Sequence, residues 1–234
     1  MQLFYAPDLP NQTALPTDEA HHAVRVLRMR VGDELWATDG KGNRYRTQVA
    51  EASAKQCTVT VLETIPSTKT PPRLHLAIAP TKNLDRMEWM IEKAVEIGIT
   101  EIHFLLTEHS ERKVLKMDRL ERKALSAMKQ SLKDFYPTLQ PLVAYHEWLE
   151  AFPTGQSAFI AHLAGPETPH LFTEITAGHP TWVLVGPEGG FSEAEVEQAQ
   201  AKGIRPVLLG AERLRTETAG LAASQMVALK NELE

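Results

Sequence analysis

Leu74-His-Leu-Ala-Ile-Ala79, Pro80-Thr-Lys-Asn83 and Leu84-Asp-Arg-Met-Glu-Trp-Met-Ile-Glu-Lys-Ala-Val-Glu-Ile-Gly98 read in order as a strand, a loop and a helix. The first is a short apolar run, as expected of a strand buried inside a parallel sheet. In the third, Leu84, Met87, Ile91, Ala94 and Val95 recur at helical spacing, Asn83 is a ready N-cap and Gly98 suits the C-terminal stop. Trp89 falls inside this pattern and is expected in the core, not as a platform for stacking bases. The alternation continues downstream. Strands fit Glu101–Leu106, Ala158–Leu163, Trp182–Val185 and Pro206–Leu209, with a long amphipathic helix around Asp118–Leu132. Ser192 and Glu195 have the spacing of a capping box, opening a helix that runs to Lys202. Strands alternating with helices predict an α/β domain with a largely parallel sheet.

Working back from Leu74, the chain crosses Pro66-Ser-Thr-Lys-Thr-Pro71-Pro72, which disfavours helix and starves a sheet of donors, so it reads as a linker. Before it the pattern is of strands. Glu34–Thr38 enters a tight turn at Asp39-Gly-Lys-Gly42, Asn43 to Ala50 returns, and Cys57-Thr-Val59-Thr-Val61 alternates with period two. Short strands with turn signals and little helical pattern predict a small β-barrel.

Composition narrows the class. With 43% hydrophobic and 24% charged residues in 234, the chain can bury a real core. No apolar run approaches the roughly 18 residues of a membrane span. The N-terminus lacks the basic-then-apolar pattern of a secretory signal, and the single Cys57 offers neither disulfide nor metal cluster, so a cytoplasmic protein is expected. His21-His22 lack a third ligand at metal spacing, and no metal is expected. The net charge of −5 argues against a uniformly basic nucleic-acid binder. Locally, however, residues 22–50 carry six Lys/Arg against three acids, and residues 108–134 carry eight against five. Such patches suit RNA on an otherwise acidic molecule.

Two glycine-bearing segments follow predicted strands, where α/β sheets gather ligands. In Val185-Gly-Pro-Glu-Gly-Gly190-Phe-Ser192, Gly186, Gly189 and Gly190 let backbone approach a ligand, and Pro187 stiffens the loop. No Gly-Lys-Ser/Thr follows, so it is not a phosphate loop. In Leu208-Leu-Gly210-Ala-Glu-Arg-Leu214-Arg-Thr-Glu-Thr-Ala219-Gly-Leu-Ala-Ala223, Thr216 is expected to cap a helix and Glu217 to suit its dipole. The small residues Ala219 to Ala223 predict close packing of that helix against backbone. Arg215, a cation beside a helix N-terminus, points to a negative partner.

Four passages carry a family resemblance: His21-His-Ala-Val-Arg25-Val-Leu-Arg28, Lys82 through Gly98, Gly186 through Ser192, and Leu209 through Ala219. Spread in order over nearly the whole chain, they resemble the ribosomal RNA small subunit methyltransferase E (RsmE) family of the SPOUT superfamily. The resemblance implies a PUA-like β-barrel RNA-binding domain over residues 1–70 and a SPOUT domain, with a trefoil-knotted parallel sheet, over 73–234. It also implies S-adenosylmethionine-dependent N3-methylation of one uridine of 16S ribosomal RNA in the small subunit, by a homodimer active in ribosome biogenesis. Gly186, Pro187, Glu188, Gly189, Gly190, Leu209, Gly210, Leu214, Thr216 and Ala219 are then the candidate cofactor-binding residues. Arg215 and Glu217 are the catalytic candidates, Arg215 to stabilise charge on uracil oxygens and Glu217 (or Glu188) to take its proton. Arg25, Arg28, Lys82 and Arg86 are the candidate RNA contacts. The chain departs from the family pattern at Glu212 and Arg213, where many relatives carry Arg-Ile, and at Ser131-Leu132-Lys133, where relatives more often have Gly-Arg. A SPOUT enzyme acting on transfer RNA and a non-catalytic RNA-binding assembly factor are the competing readings. A nucleoside profile separates the first, and absence of heat with S-adenosylmethionine marks the second.

Overall fold

A computed structural model describes residues 2–53, 56–68 and 73–233. Of the proline-rich boundary at 66–72, residues 69–72 lie outside these. Contacts divide the chain into two compact units, Met1–Thr70 with Leu125–Tyr136, and Pro71–Ala124 with Pro137–Glu234.

The first unit holds a four-stranded sheet in the order β1 (Leu3–Tyr5), β2 (Glu34–Thr38), β3 (Asn43–Ala52), β4 (Cys57–Pro66). β1 runs parallel to β2 and the rest are antiparallel. The β2–β3 turn forms as expected because the Asp39 carboxylate accepts the backbone N–H groups of Lys41 at 2.7 Å and Asn43 at 3.0 Å. One helical piece is absent from the sequence reading: α1 (Thr17–His21) runs into a π-helical turn, His22–Val26. Ala20 and Ala23 of this piece join Phe4, Leu35, Tyr45 and Val59 in the unit's core. At five residues each, the two turns are too short to show a period.

The second unit is built on six strands, β5 (Leu74–Ile78), β6 (Glu101–Leu106), β7 (Thr138–Ala144), β8 (Ser157–Ala161), β9 (Thr181–Val185) and β10 (Arg205–Val207), in the order β10-β8-β9-β5-β6-β7. Every pairing is parallel. The expected strand at 158–163 ends two residues earlier, at Ala161. β7 has no counterpart in the sequence reading because Pro141 interrupts it. The register against β6 skips Pro141, pairing Gln140 with His103 and Leu142 with Phe104, which only an edge strand tolerates.

α2 (Leu84–Ile97) starts on Asn83, whose side chain accepts the Asp85 N–H at 2.9 Å, and closes on Gly98. α3 (Met117–Gln130) follows β6. α4 (Tyr145–Ala151) and α6 (Glu193–Ala201) cover one sheet face, where Tyr145, Trp148, Leu149, Val196 and Ala199 meet Ala77, Leu105, Ile160 and Leu184. A short α5 (Leu171–Glu174) precedes β9. α7 (Thr216–Glu232) packs on β5 and α2.

Two expectations are corrected here. Trp89 is not core. It is 47% exposed, because Met87, Met90 and Ile91 take the buried face of α2. The small run in α7 admits side chains rather than backbone. A Cβ at Gly220 would stand 3.0 Å from Ile78 Cδ1 and 3.4 Å from Leu76 Cδ2.

Candidate active site

Beyond the carboxyl ends of β8 and β9, the chain opens a cavity of about 510 Å3. Its wall begins at Ala161 and Val185, continues through Gly186, Pro187, Glu188, Gly189 and Gly190, and closes with Arg213, Leu214, Arg215, Thr216 and Ala219. The two glycine-bearing segments, more than twenty residues apart in sequence, therefore share one pocket. Leu209 and Gly210, which complete the set of cofactor candidates, are not among its wall residues.

Local forces set the first loop. Ser192 and Glu195 form the expected capping box, and the Glu195 carboxylate also accepts the backbone N–H of Glu108 at 2.9 Å. Gly190 takes φ +75°, strained for any residue with a Cβ. A Cβ at Gly186 would lie 3.0 Å from the backbone nitrogen of Phe191, so the loop closes only without a side chain there. His109, on the loop after β6, packs against the same glycines. Its Nδ1 lies 3.1 Å from the Gly190 carbonyl, and a Cβ at Gly189 would stand 3.0 Å from its own Cβ. Nothing in the periodicity of the sequence marked His109.

The second segment starts α7 one residue earlier than expected. Arg215, extended at φ −74° and ψ 156°, is the N-cap residue and makes no side-chain cap, while Thr216 is a buried first residue of the helix. Arg215 is thus an exposed wall residue that forms no ion pair among the described residues. Glu217 lies outside the wall. Only 6% exposed, its carboxylate stands 3.6 Å from Nε of Arg86 on α2.

The RNA candidates separate likewise. Lys82 pairs with Glu111 at 2.8 Å, and its backbone N–H reaches Glu188 Oε1 at 3.3 Å. Arg112 donates to the carbonyls of Thr81 and Lys82, tying the loop after β6 to the loop after β5. In the first unit, Arg25 and Arg28 are exposed and without an ion pair among the described residues, next to exposed Val26 and Val31. His162 is part-exposed at the end of β8 and absent from the wall. Among the described residues, no cluster of His, Cys, Asp or Glu is arranged to hold a metal ion.

With this geometry in hand, the relatives are informative. An RNA methyltransferase domain model matches residues 67–228, and an RNA methyltransferase PUA domain model matches residues 15–62. The chain belongs to the ribosomal RNA small subunit methyltransferase E family. A Synechocystis member is 31% identical over 95% of this chain and 75% of its own length. A probable rRNA-methyltransferase from Porphyromonas gingivalis superposes with a TM-score of 0.93 at 43% identity, covering 100% of this chain and 99% of that one. The family enzyme from Neisseria gonorrhoeae, solved bound to S-adenosyl methionine, superposes with a TM-score of 0.86 at 28% identity, covering 100% and 98%. A PUA domain thus precedes a methyltransferase domain with a parallel sheet, and the molecule is an RNA methyltransferase.

Proposed function

We propose that this enzyme transfers a methyl group from S-adenosylmethionine to N3 of a single uridine of 16S ribosomal RNA. The observation that carries the reading is the shared pocket of the Gly186–Gly190 loop and the Arg213–Ala219 segment. It fits the donor. Its volume of about 510 Å3 lies inside the roughly 300–1,000 Å3 of small-molecule sites. Its floor is glycine backbone, which leaves room for an adenine edge or a ribose to approach the main chain, and a Cβ at Gly186 would disrupt that floor. Bound there, the sulfonium supplies an electrophilic methyl carbon.

The protein's part is alignment, which removes about 7–11 kcal/mol of barrier in favourable cases, and stabilisation of the charge that develops on the uracil. Arg215 suits the second task, as a wall cation without a partner acid. Glu217 we assign a supporting role, because burial against Arg86 engages its carboxylate in holding α7 to α2. Replacing Arg215 with Ala is expected to cut single-turnover methylation by about 100-fold, as removal of one anion-stabilising donor does. Calorimetry should find the donor affinity within about twofold of wild type; equal loss of both would reject the assignment.

The uracil N3 is paired inside a duplex, so the target base must be unpaired or flipped. Arg25 and Arg28 are the RNA contacts best supported by their free, exposed guanidinium groups. Within the reading, residues 1–70 form the PUA-like domain and 73–234 the knotted SPOUT domain of a cytoplasmic homodimer. No helix among the described residues is long and apolar enough to cross a membrane. The deciding experiment is labelled methyl transfer to small subunits from cells lacking the enzyme, with the modified nucleotide mapped. Label on another nucleotide, or on transfer RNA alone, would overturn the substrate.

A further inference from the structure

We propose that His109 is the general base that removes the N3 proton of the target uracil, an inference that rests on the methyl-transfer reading above. β5 lies between β6 and β9 in the sheet, and the loop after β6 reaches past it to the glycine loop, where His109 stands at the rim, against Gly189 and Gly190 of the wall but not itself a wall residue. There the Nδ1 of His109 stands 3.1 Å from the Gly190 carbonyl oxygen. A carbonyl only accepts, so Nδ1 carries the ring proton and Nε2 keeps its lone pair. A backbone acceptor thus fixes the tautomer in which the far nitrogen is basic, the arrangement that orients general-base imidazoles. The contact is built into both partners. Gly189 is the residue that lets the ring approach, since any Cβ there would lie 3.0 Å from His109 Cβ and 3.4 Å from its Cγ. His109 is exposed, as a group that must meet a macromolecular substrate has to be.

The rival carboxylates are engaged. Glu217 is buried on Arg86, and Glu188 holds the Lys82 N–H. The other charged groups on segments around the ring are Glu108, Glu111, Arg112, Lys113 and Lys116 on its own loop, Lys82 after β5, and Glu193 and Glu195 at the start of α6.

In the step, His109 Nε2 takes the proton from N3. The pair left on nitrogen forms the bond to the methyl carbon, and the pair of the broken carbon–sulfur bond stays on sulfur as a neutral thioether. The imidazolium then returns its proton to water.

His109→Asn tests this, because its amide N–H takes the place of Nδ1–H and can still donate to Gly190 while offering no base. In the full-length enzyme we expect donor affinity within about twofold of wild type. Single-turnover methylation of unmethylated small subunits should fall by about 100-fold or more. Wild type should lose rate on acidification and level off at higher pH, whereas the variant's residual rate should climb about tenfold per pH unit without a plateau. Nitrogen-15 spectra of the free wild-type enzyme, assigned by the signal missing in the variant, should show the proton of His109 on Nδ1. A variant within about threefold of wild type with the same pH profile, or a ring protonated on Nε2 alone, overturns the proposal. Wild type inert toward every RNA would instead overturn the function on which it rests.

Discussion

The two ends of one parallel sheet are built on opposite plans. At the carboxyl ends of β8 and β9 the chain leaves backbone uncovered: glycines, a proline and a segment whose Arg215 has no ion pair among the described residues. Toward the amino ends the same sheet is closed by side chains. Trp148 Nε1–H donates to His103 Nδ1 at 2.7 Å, so His103 carries its proton on Nε2 and donates it to Glu101 at 2.7 Å. His75 and Gln140 reach the same carboxylate at 3.2 and 3.3 Å. Trp182 stacks on His75 at 4.6 Å and meets His103 edge-on at 4.8 Å. One end is arranged to bind and the other to hold strands together, and substitutions should separate the two properties.

The largest effect is expected from Gly186→Val. Its Cβ would press on the backbone of Phe191 and Gly190, which cannot swing aside. Donor affinity should fall by more than about 100-fold, or about 2.7 kcal/mol, while the domain still melts cooperatively, its melting temperature lowered only by the strain of that one loop. Calorimetry and a thermal melt read both, and a melt that collapses with the affinity would erase the contrast.

Glu101→Ala makes the converse change. Two imidazoles and an amide lose their shared acceptor, and stability should drop by about 1–3 kcal/mol, measured by urea unfolding, with donor affinity unchanged.

The smallest effect is a pH dependence. Burial lowers the pKa of His75 and outweighs the opposing pull of Glu101. Burial by itself would raise Glu101, but hydrogen bonds from His103 and Gln140 and the neighbouring imidazoles hold it below the usual carboxylate range. The folded state binds fewer protons at both sites. The contribution of His75 is therefore complete above its ordinary pKa near 6.5 and lost as pH falls through the lowered value. That of Glu101 follows below about 4.5. Unfolding midpoints should decline from pH 7 to 5, and less steeply in His75→Gln. An unchanged slope in that variant would remove His75 from the network's titration.

The network and the pocket were unequally legible. Asn83, Gly98 and the Ser192–Glu195 box announced their helix ends because capping is local, and β5, β6 and β9 announced themselves by short, mainly apolar runs. His75, Glu101 and His103 gave no signal, since their partners come from β7, α4 and β9 and no spacing along the chain relates them. β7 itself was hidden by Pro141, which becomes intelligible only at a sheet edge.

By itself, the sequence determined the α/β alternation, the glycine loops and the family, because each rests on residues adjacent in the chain or on motifs in fixed order. Only the tertiary structure decided that Gly186–Gly190 and Arg213–Ala219 share a wall, that Arg215 has no ion pair among the described residues while Glu217 is engaged by Arg86, and that His109 rests on Gly189. Those are through-space facts. A parallel sheet brings them about by setting strands side by side in an order, β10-β8-β9-β5-β6-β7, that differs from their order along the chain.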